Sequence, residues 1–211
     1  AARPAAQPFR RFVCLGLGQL CTRNAEWQLA LALAVLADRE LIAADAVVEA
    51  FDPAFDASDR AAMELLGFQL IENNSMGRTH LADEATLLFM PHCNFALYNN
   101  VLAVNWTASR LSNLVLVGNY LERYVLNERH SPEEIEYIRL ALPHLTSHKV
   151  TGAVPDSALE RAINDTFVQH VSHGDVDCAV ASASGSHASG AEVPNAESAS
   201  DEAEQTADAQ R

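Results

Sequence analysis

The chain has 211 residues, 49% of them hydrophobic and 20% charged, which suits one domain with a substantial core better than two small ones. Its formal net charge of -14 disfavours binding to nucleic acid, which needs Lys and Arg to displace counterions. No stretch reaches the roughly 18 uninterrupted apolar residues of a membrane span, and no basic patch followed by an apolar run marks a secretory leader.

Residues 1–9 are rich in Ala, Pro and Gln and are expected to be disordered, ahead of a domain over 10–171. A first strand is expected at 11–16, where a short apolar run stops at Gly16-Leu17-Gly18. Asn24 suits the N-cap of a helix to about Leu41, with Trp27, Leu29, Leu33 and Leu36 on a broad apolar surface. Residues 46–51 alternate little, as a strand covered on both faces should. That strand ends at Asp52-Pro53, because proline has no N–H for the ladder. Ser58 caps a second helix to about Leu66, Gly67 stops it, and 68–71 form a short third strand.

Residues 72–83 read as a polar connection. A fourth strand at 85–90 ends at Pro91, and a helix is expected from His92 to about Trp106. A fifth strand at 114–117 ends at Gly118-Asn119. Two more helices follow: one at 119–127, and one opened by Ser131-Pro132-Glu133-Glu134 that runs to about Leu142. Residues 144–150 and 165–171 are strand candidates. From 172 to 211 the composition turns to Ala, Ser, Glu, Asp and Gly, so an acidic disordered tail is expected there.

Alternating strands and helices predict an α/β fold: a Rossmann-like, doubly wound, mostly parallel sheet of order 3-2-1-4-5 plus one or two C-terminal strands. Ligands in such sheets bind beyond the carboxyl ends of the strands where the order reverses, here between strands one and four. Gly16 and Gly18 should then face His92 and Cys93 across a crevice, with Asp52, Pro53, Gly118 and Asn119 on its rim.

Each candidate has a functional and a structural reading. The glycines either admit a ligand or simply turn the chain, and Cys21 stands where a third glycine of a dinucleotide fingerprint would be. Asp52 is placed to hold ribose hydroxyls, or to cap its own turn. His92-Cys93 at a helix start could offer a neutral imidazole and a thiol of lowered pKa, or could merely seal the crevice. Asn99, Asn100, Asn105 and Asn119 could read a base; Asn105 and Asn119 fit better as caps. Cys14, Cys21, Cys93 and Cys178 form no metal or disulfide pattern and read as reduced thiols of an intracellular protein. The sequons at Asn73, Asn105 and Asn164 read as chance.

An ordered set of motifs adds a resemblance. Val13–Gly18, Gln28, Phe51-Asp52-Pro53-Ala54-Phe55, Met90-Pro91-His92-Cys93, Leu97-Tyr98-Asn99-Asn100, Asn105-Trp106, Gly118-Asn119 and Asn164-Asp165-Thr166 resemble the Sensitivity To Red Light Reduced family over residues 11–170. The resemblance implies a eukaryotic intracellular regulator, cytoplasmic or nuclear, tied to circadian and light signalling in plants and to haem biosynthesis in animals. It brings no agreed enzymatic activity. The leading expectation is therefore a regulator that acts through protein partners and a small-molecule ligand. The alternatives are a methyltransferase-like enzyme, with S-adenosylmethionine held by Gly16, Gly18 and Asp52, and a haem-binding regulator using His92 or Cys93.

Overall fold

A computed structural model describes residues 7–127, 129–151, 157–172 and 174–184. The first half runs β1 (Phe9–Leu15), α1 (Arg23–Ala37), β2 (Ile42–Phe51), α2 (Ala57–Leu65), β3 (Gln69–Leu70), β4 (Thr86–Met90) and α3 (Phe95–Val104). The second runs α4 (Ala108–Asn113), β5 (Leu114–Asn119), α5 (Glu122–Leu126), α6 (Glu136–Ala141), β6 (Leu145–Lys149), α7 (Ser157–Ile163), β7 (Thr166–Val171) and α8 (Val176–Ser184). One sheet of seven strands carries the order β3-β2-β1-β4-β5-β7-β6. Strands β1 to β5 pair in parallel, while β7 is antiparallel to both β5 and β6. The expected α/β architecture, its strand order and its two extra strands are all present.

Alternation along β1 explains the layers. Val13 and Leu15 point to one face and meet Leu88, Met90 and the α3 residues Tyr98, Val101 and Leu102. Phe12 and Cys14 point to the other and meet Ala32 of α1, Met63 of α2 and Phe89. Phe12 stacks on Phe89 with centroids 6.1 Å apart. All five residues of β4 are buried, as a central strand covered on both faces requires.

Local capping chemistry shifted several boundaries. Thr22, not Asn24, caps α1, its hydroxyl accepting from Ala25 N–H at 3.3 Å. The helix stops at Ala37 because the Asp38 carboxylate accepts the Glu40 and Leu41 N–H groups instead. Asp56 rather than Ser58 caps α2, in a reciprocal box with Asp59. Ser131 and Glu134 do form a reciprocal box, but the α-helix begins only at Glu136. Helices α4 and α7 were not anticipated from the sequence. Neither was α8, which occupies 176–184 where a tail was expected from 172; Val176 and Ala179 join the core. Its small residues bury little area each, so composition alone misread them. The disorder expected for 1–6 and 185–211 lies outside the described residues.

The β3–β4 crossover positions the site. Between Leu70 and Thr86 it contains no helix or strand, yet it lies over the α3 face of the sheet. Side chains hold it there. Asn105, fully buried at the end of α3, accepts from Ala82 N–H (2.7 Å) and donates to His80 O (2.9 Å) and Val101 O (2.8 Å). Asn100 donates to Met76 O at 2.9 Å, and Asn113 to Ala82 O at 3.1 Å. Arg11 of β1 donates to Leu81 O at 3.1 Å and pairs with Glu49 of β2 at 2.7 Å.

Candidate functional site

A cleft of about 210 Å³ opens between this crossover and the carboxyl ends of β1 and β2. Leu15 and Gly16 line it from β1 and its turn, and Phe51, Asp52 and Pro53 from the end of β2. Asn73, Asn74, Ser75, Met76, Gly77 and His80 come from the crossover, and Cys93, Asn94 and Leu97 from the start of α3. Four of the expected residues therefore meet here: Gly16, Asp52, Pro53 and Cys93.

Close packing sets the conformation of this end of the sheet. Gly16 has φ +76°, and a Cβ there would collide with Cys93 Sγ. The Cys93 thiol donates to Leu15 O at 3.5 Å. Asp52 joins the two turns: Oδ2 accepts from Gly18 N–H and Oδ1 from Ala54 N–H, each at 2.7 Å. Gly18 thus touches the site only through Asp52.

The expectation of an activated thiol at a helix N-terminus is corrected. The helix begins at Phe95 with Asn94 as its cap, so Cys93 precedes it. Cys93 is only 8% exposed, and burial, reinforced by the Asp52 charge, pushes its thiol up to about 12. Burial outweighs a helix-end field worth about 0.3–1 kcal/mol. His92, at φ +57°, faces away from the cleft, and its Nε2–H donates to Ala162 O of α7 at 3.0 Å. Gln28 of α1 donates to the same carbonyl at 3.3 Å. The bond to Ala162 O fixes the ring of His92 against α7 and outside the cleft, and as a haem ligand Cys93 would have to be uncovered and deprotonated.

The remaining expected residues support the scaffold. Asn119 Oδ1 accepts from His92 N–H at 2.7 Å, and its Nδ2 donates to Cys93 O at 3.2 Å. Tyr124 donates to the same Cys93 carbonyl at 2.7 Å. Tyr98 donates to Met90 O and accepts from Asn119 N–H at 2.8 Å. Gly118 has no room for a Cβ between Tyr98 and Met90 O, the latter 2.8 Å from where it would lie. Asn99 Oδ1 accepts from Tyr137 and Ile138 N–H at the start of α6 (2.9 and 3.3 Å), and Asn100 holds the crossover.

His80 is the functional candidate that the sequence did not reveal. It is 4% exposed, lines the cleft, and its Nδ1 has no hydrogen-bond partner in the protein. Burial, and secondarily Arg11, lower its pKa below 6.5, with Glu49 acting the other way. A lone His in a polar connection carries no periodic signal. The only hint was the apolar Leu81-Ala82 that follows it. Among the described residues, no group of three or more His, Cys, Asp or Glu side chains could hold a metal ion. Among the same residues, no helix is long and apolar enough to cross a membrane.

The fold and cleft define a Rossmann-like α/β domain with its recess at the carboxyl ends of the first two strands. Comparison with known proteins places it more narrowly. The SRR1 domain model matches residues 2–182, and the chain belongs to that family. It is 31% identical over 157 residues to Protein SENSITIVITY TO RED LIGHT REDUCED 1 of Arabidopsis thaliana, covering 74% of this chain and 54% of the relative. It is 34% identical over 108 residues to an SRR1-like protein of Mus musculus (51% and 43% covered). An SRR1-like protein of Drosophila melanogaster is 31% identical over 133 residues (63% and 46% covered). The chain thus spans about half the length of these curated relatives. No solved structure matches it at a significant level.

Two outcomes follow from this geometry. Gly16→Ala should destabilise by about 1–3 kcal/mol, combining a left-handed φ with the sulfur clash. Gly18→Ala, at φ +75° with open space around it, should cost less. Adding Cys93→Ala to Gly16→Ala should recover about 1 kcal/mol relative to additivity in urea denaturation; strict additivity would contradict the contact. For His80, the folded pKa lies below the unfolded 6.5, so its stabilising contribution is complete above that pH. The contribution is lost as pH falls from there towards the folded value, because the unfolded state then binds the proton more tightly. Urea midpoints measured from about pH 7.5 to about pH 5 should fall more in wild type than in His80→Gln.

Proposed function

We propose that the chain is a regulatory domain that binds a small molecule in this cleft and signals occupancy to a protein partner. The observation that carries the reading is the construction of the cleft. Two of its walls are the ends of β1 and β2, met by the start of α3, near the switch point where α/β sheets take ligands. The third is a helix-free crossover whose Asn73 and Asn74 face solvent. Occupancy can therefore alter a surface that a partner contacts.

The chemistry of the lining favours binding over catalysis. Cys93 is held protonated and His92 faces α7, so the two form no nucleophile–base pair in the cleft. The name of the Arabidopsis relative refers to sensitivity to red light. A regulatory role here extends that theme, with circadian control or haem biosynthesis as the setting. Cys14, Cys21 and Cys93 carry free thiols, that of Cys21 exposed, which suits a reducing compartment such as the cytoplasm or nucleus.

The test is thermal stability of the full chain against S-adenosylmethionine, NAD, free nucleosides and haem, in wild type and in Leu97→Trp, which fills the cleft. A ligand present at about 100 times its dissociation constant stabilises by about 2.7 kcal/mol. At least one compound should raise the melting temperature of wild type and leave the variant unmoved. No shift with any of them, or shifts that persist in Leu97→Trp, would remove the reading.

A further inference from the structure

Resting on the reading of the cleft as a binding site, we infer that its ligand is an uncharged nucleoside-type molecule, contacted by His80 and Asp52, and that phosphorylated forms are excluded. Three observations carry this. The first is charge. No Lys or Arg lines the cleft, while Asp52 places a carboxylate in its wall. Arg11, whose charge acts on His80, is already paired with Glu49 at 2.7 Å. A phosphate or carboxylate entering the cleft would leave water, meet Asp52 and find no counter-charge.

The second is the supply of hydrogen-bonding atoms. His80 is 4% exposed with Nδ1 unpartnered, although buried polar groups normally find partners. Its lowered pKa keeps the imidazole neutral near pH 7, so it offers one donor and one acceptor rather than a charge. Nδ1 itself is sealed from solvent, so a turn of the ring is needed to bring it to a heterocycle's ring nitrogen or amino group, a partner that an apolar ligand cannot give. The Asp52 carboxylate has about four acceptor positions, and two are taken by Gly18 and Ala54 N–H. Those left over suit hydroxyl donors, as on a ribose.

The third is shape and size. Leu15, Phe51, Met76 and Leu97 give the cleft apolar walls for a ring system. Its volume of about 210 Å³ is below the roughly 300–1,000 Å³ of sites for drug-sized ligands. That argues for a single nucleoside and against a dinucleotide.

Calorimetric titration of the full chain with adenosine and with adenosine 5′-monophosphate tests the inference, alongside His80→Gln and His80→Phe. Adenosine should bind wild type about ten-fold or more tighter than the monophosphate. His80→Gln, which keeps a donor and an acceptor, should bind adenosine within about three-fold of wild type, and His80→Phe should weaken it by about ten-fold. If His80→Phe does not fold, the wild-type ratio and His80→Gln decide. The inference is overturned if the monophosphate binds as tightly as adenosine, or if folded His80→Phe binds adenosine undiminished. It is also overturned if adenosine fails to bind while another compound still stabilises wild type but not Leu97→Trp. In that last case the cleft remains a binding site. If no compound occupies the cleft, both readings fall.

Discussion

Asn105 is fully buried at the end of α3, and its carboxamide makes three hydrogen bonds, two of them to the β3–β4 crossover. The rest of the site depends on this anchor. In a doubly wound sheet the third crossover normally carries a helix that satisfies its own backbone. Here the segment has no helix, so its buried N–H and C=O groups must find partners elsewhere. Asn105 supplies them at Ala82 and His80. Each buried polar group left unpaired would cost about 1–3 kcal/mol, a large share of a domain's net stability of about 5–15 kcal/mol. By fixing the backbone of His80, the same amide also holds the imidazole in the inner wall of the cleft.

The opposite wall is set by packing and a second polar cluster. Asn119 and Tyr124 hold the turn through His92 and Cys93, and Tyr98 in turn holds Asn119 by accepting its N–H. That turn seats the Cys93 sulfur where only a glycine at position 16 fits. These residues look like chemistry in a sequence because they are polar, aromatic or nucleophilic. In the fold most of them bond to backbone. What remains available to a ligand is a small set: the outer lone pairs of Asp52, the imidazole of His80 and the polar rim of the crossover. The one formal charge in the lining of the cleft, that of Asp52, is negative, which is the basis for proposing a neutral ligand.

The architecture was legible because long-range order in an α/β sheet leaves local marks. Apolar strands ended at Asp52-Pro53, Pro91 and Gly118-Asn119, and α1 carried a broad apolar surface. Gly16, Asp52, Pro53 and Cys93 were legible as neighbours lining one cleft because the topology alone brings the ends of β1, β2 and β4 together. His80 and Leu97 were not. His80 owes its burial to Asn105, 25 residues away, and no local pattern reports that pairing. The Cys93 thiol was misjudged for a related reason. A helix start is visible in sequence, but the burial that raises its pKa comes from Gly16 and Leu15 across the sheet. Helix α8 escaped because alanines can pack closely without looking hydrophobic enough to bury.

The central claim is that Asn105 holds the crossover over the sheet and so creates the cleft. Amide hydrogen exchange at Ala82 tests it most directly, because that N–H bonds to Asn105 Oδ1 and to no backbone carbonyl. In the native protein Ala82 should be protected to a degree approaching that of the buried β4 amides. In Asn105→Ala it should exchange rapidly while β4 stays protected. Free exchange at Ala82 in wild type, or unchanged protection in Asn105→Ala, would contradict the account.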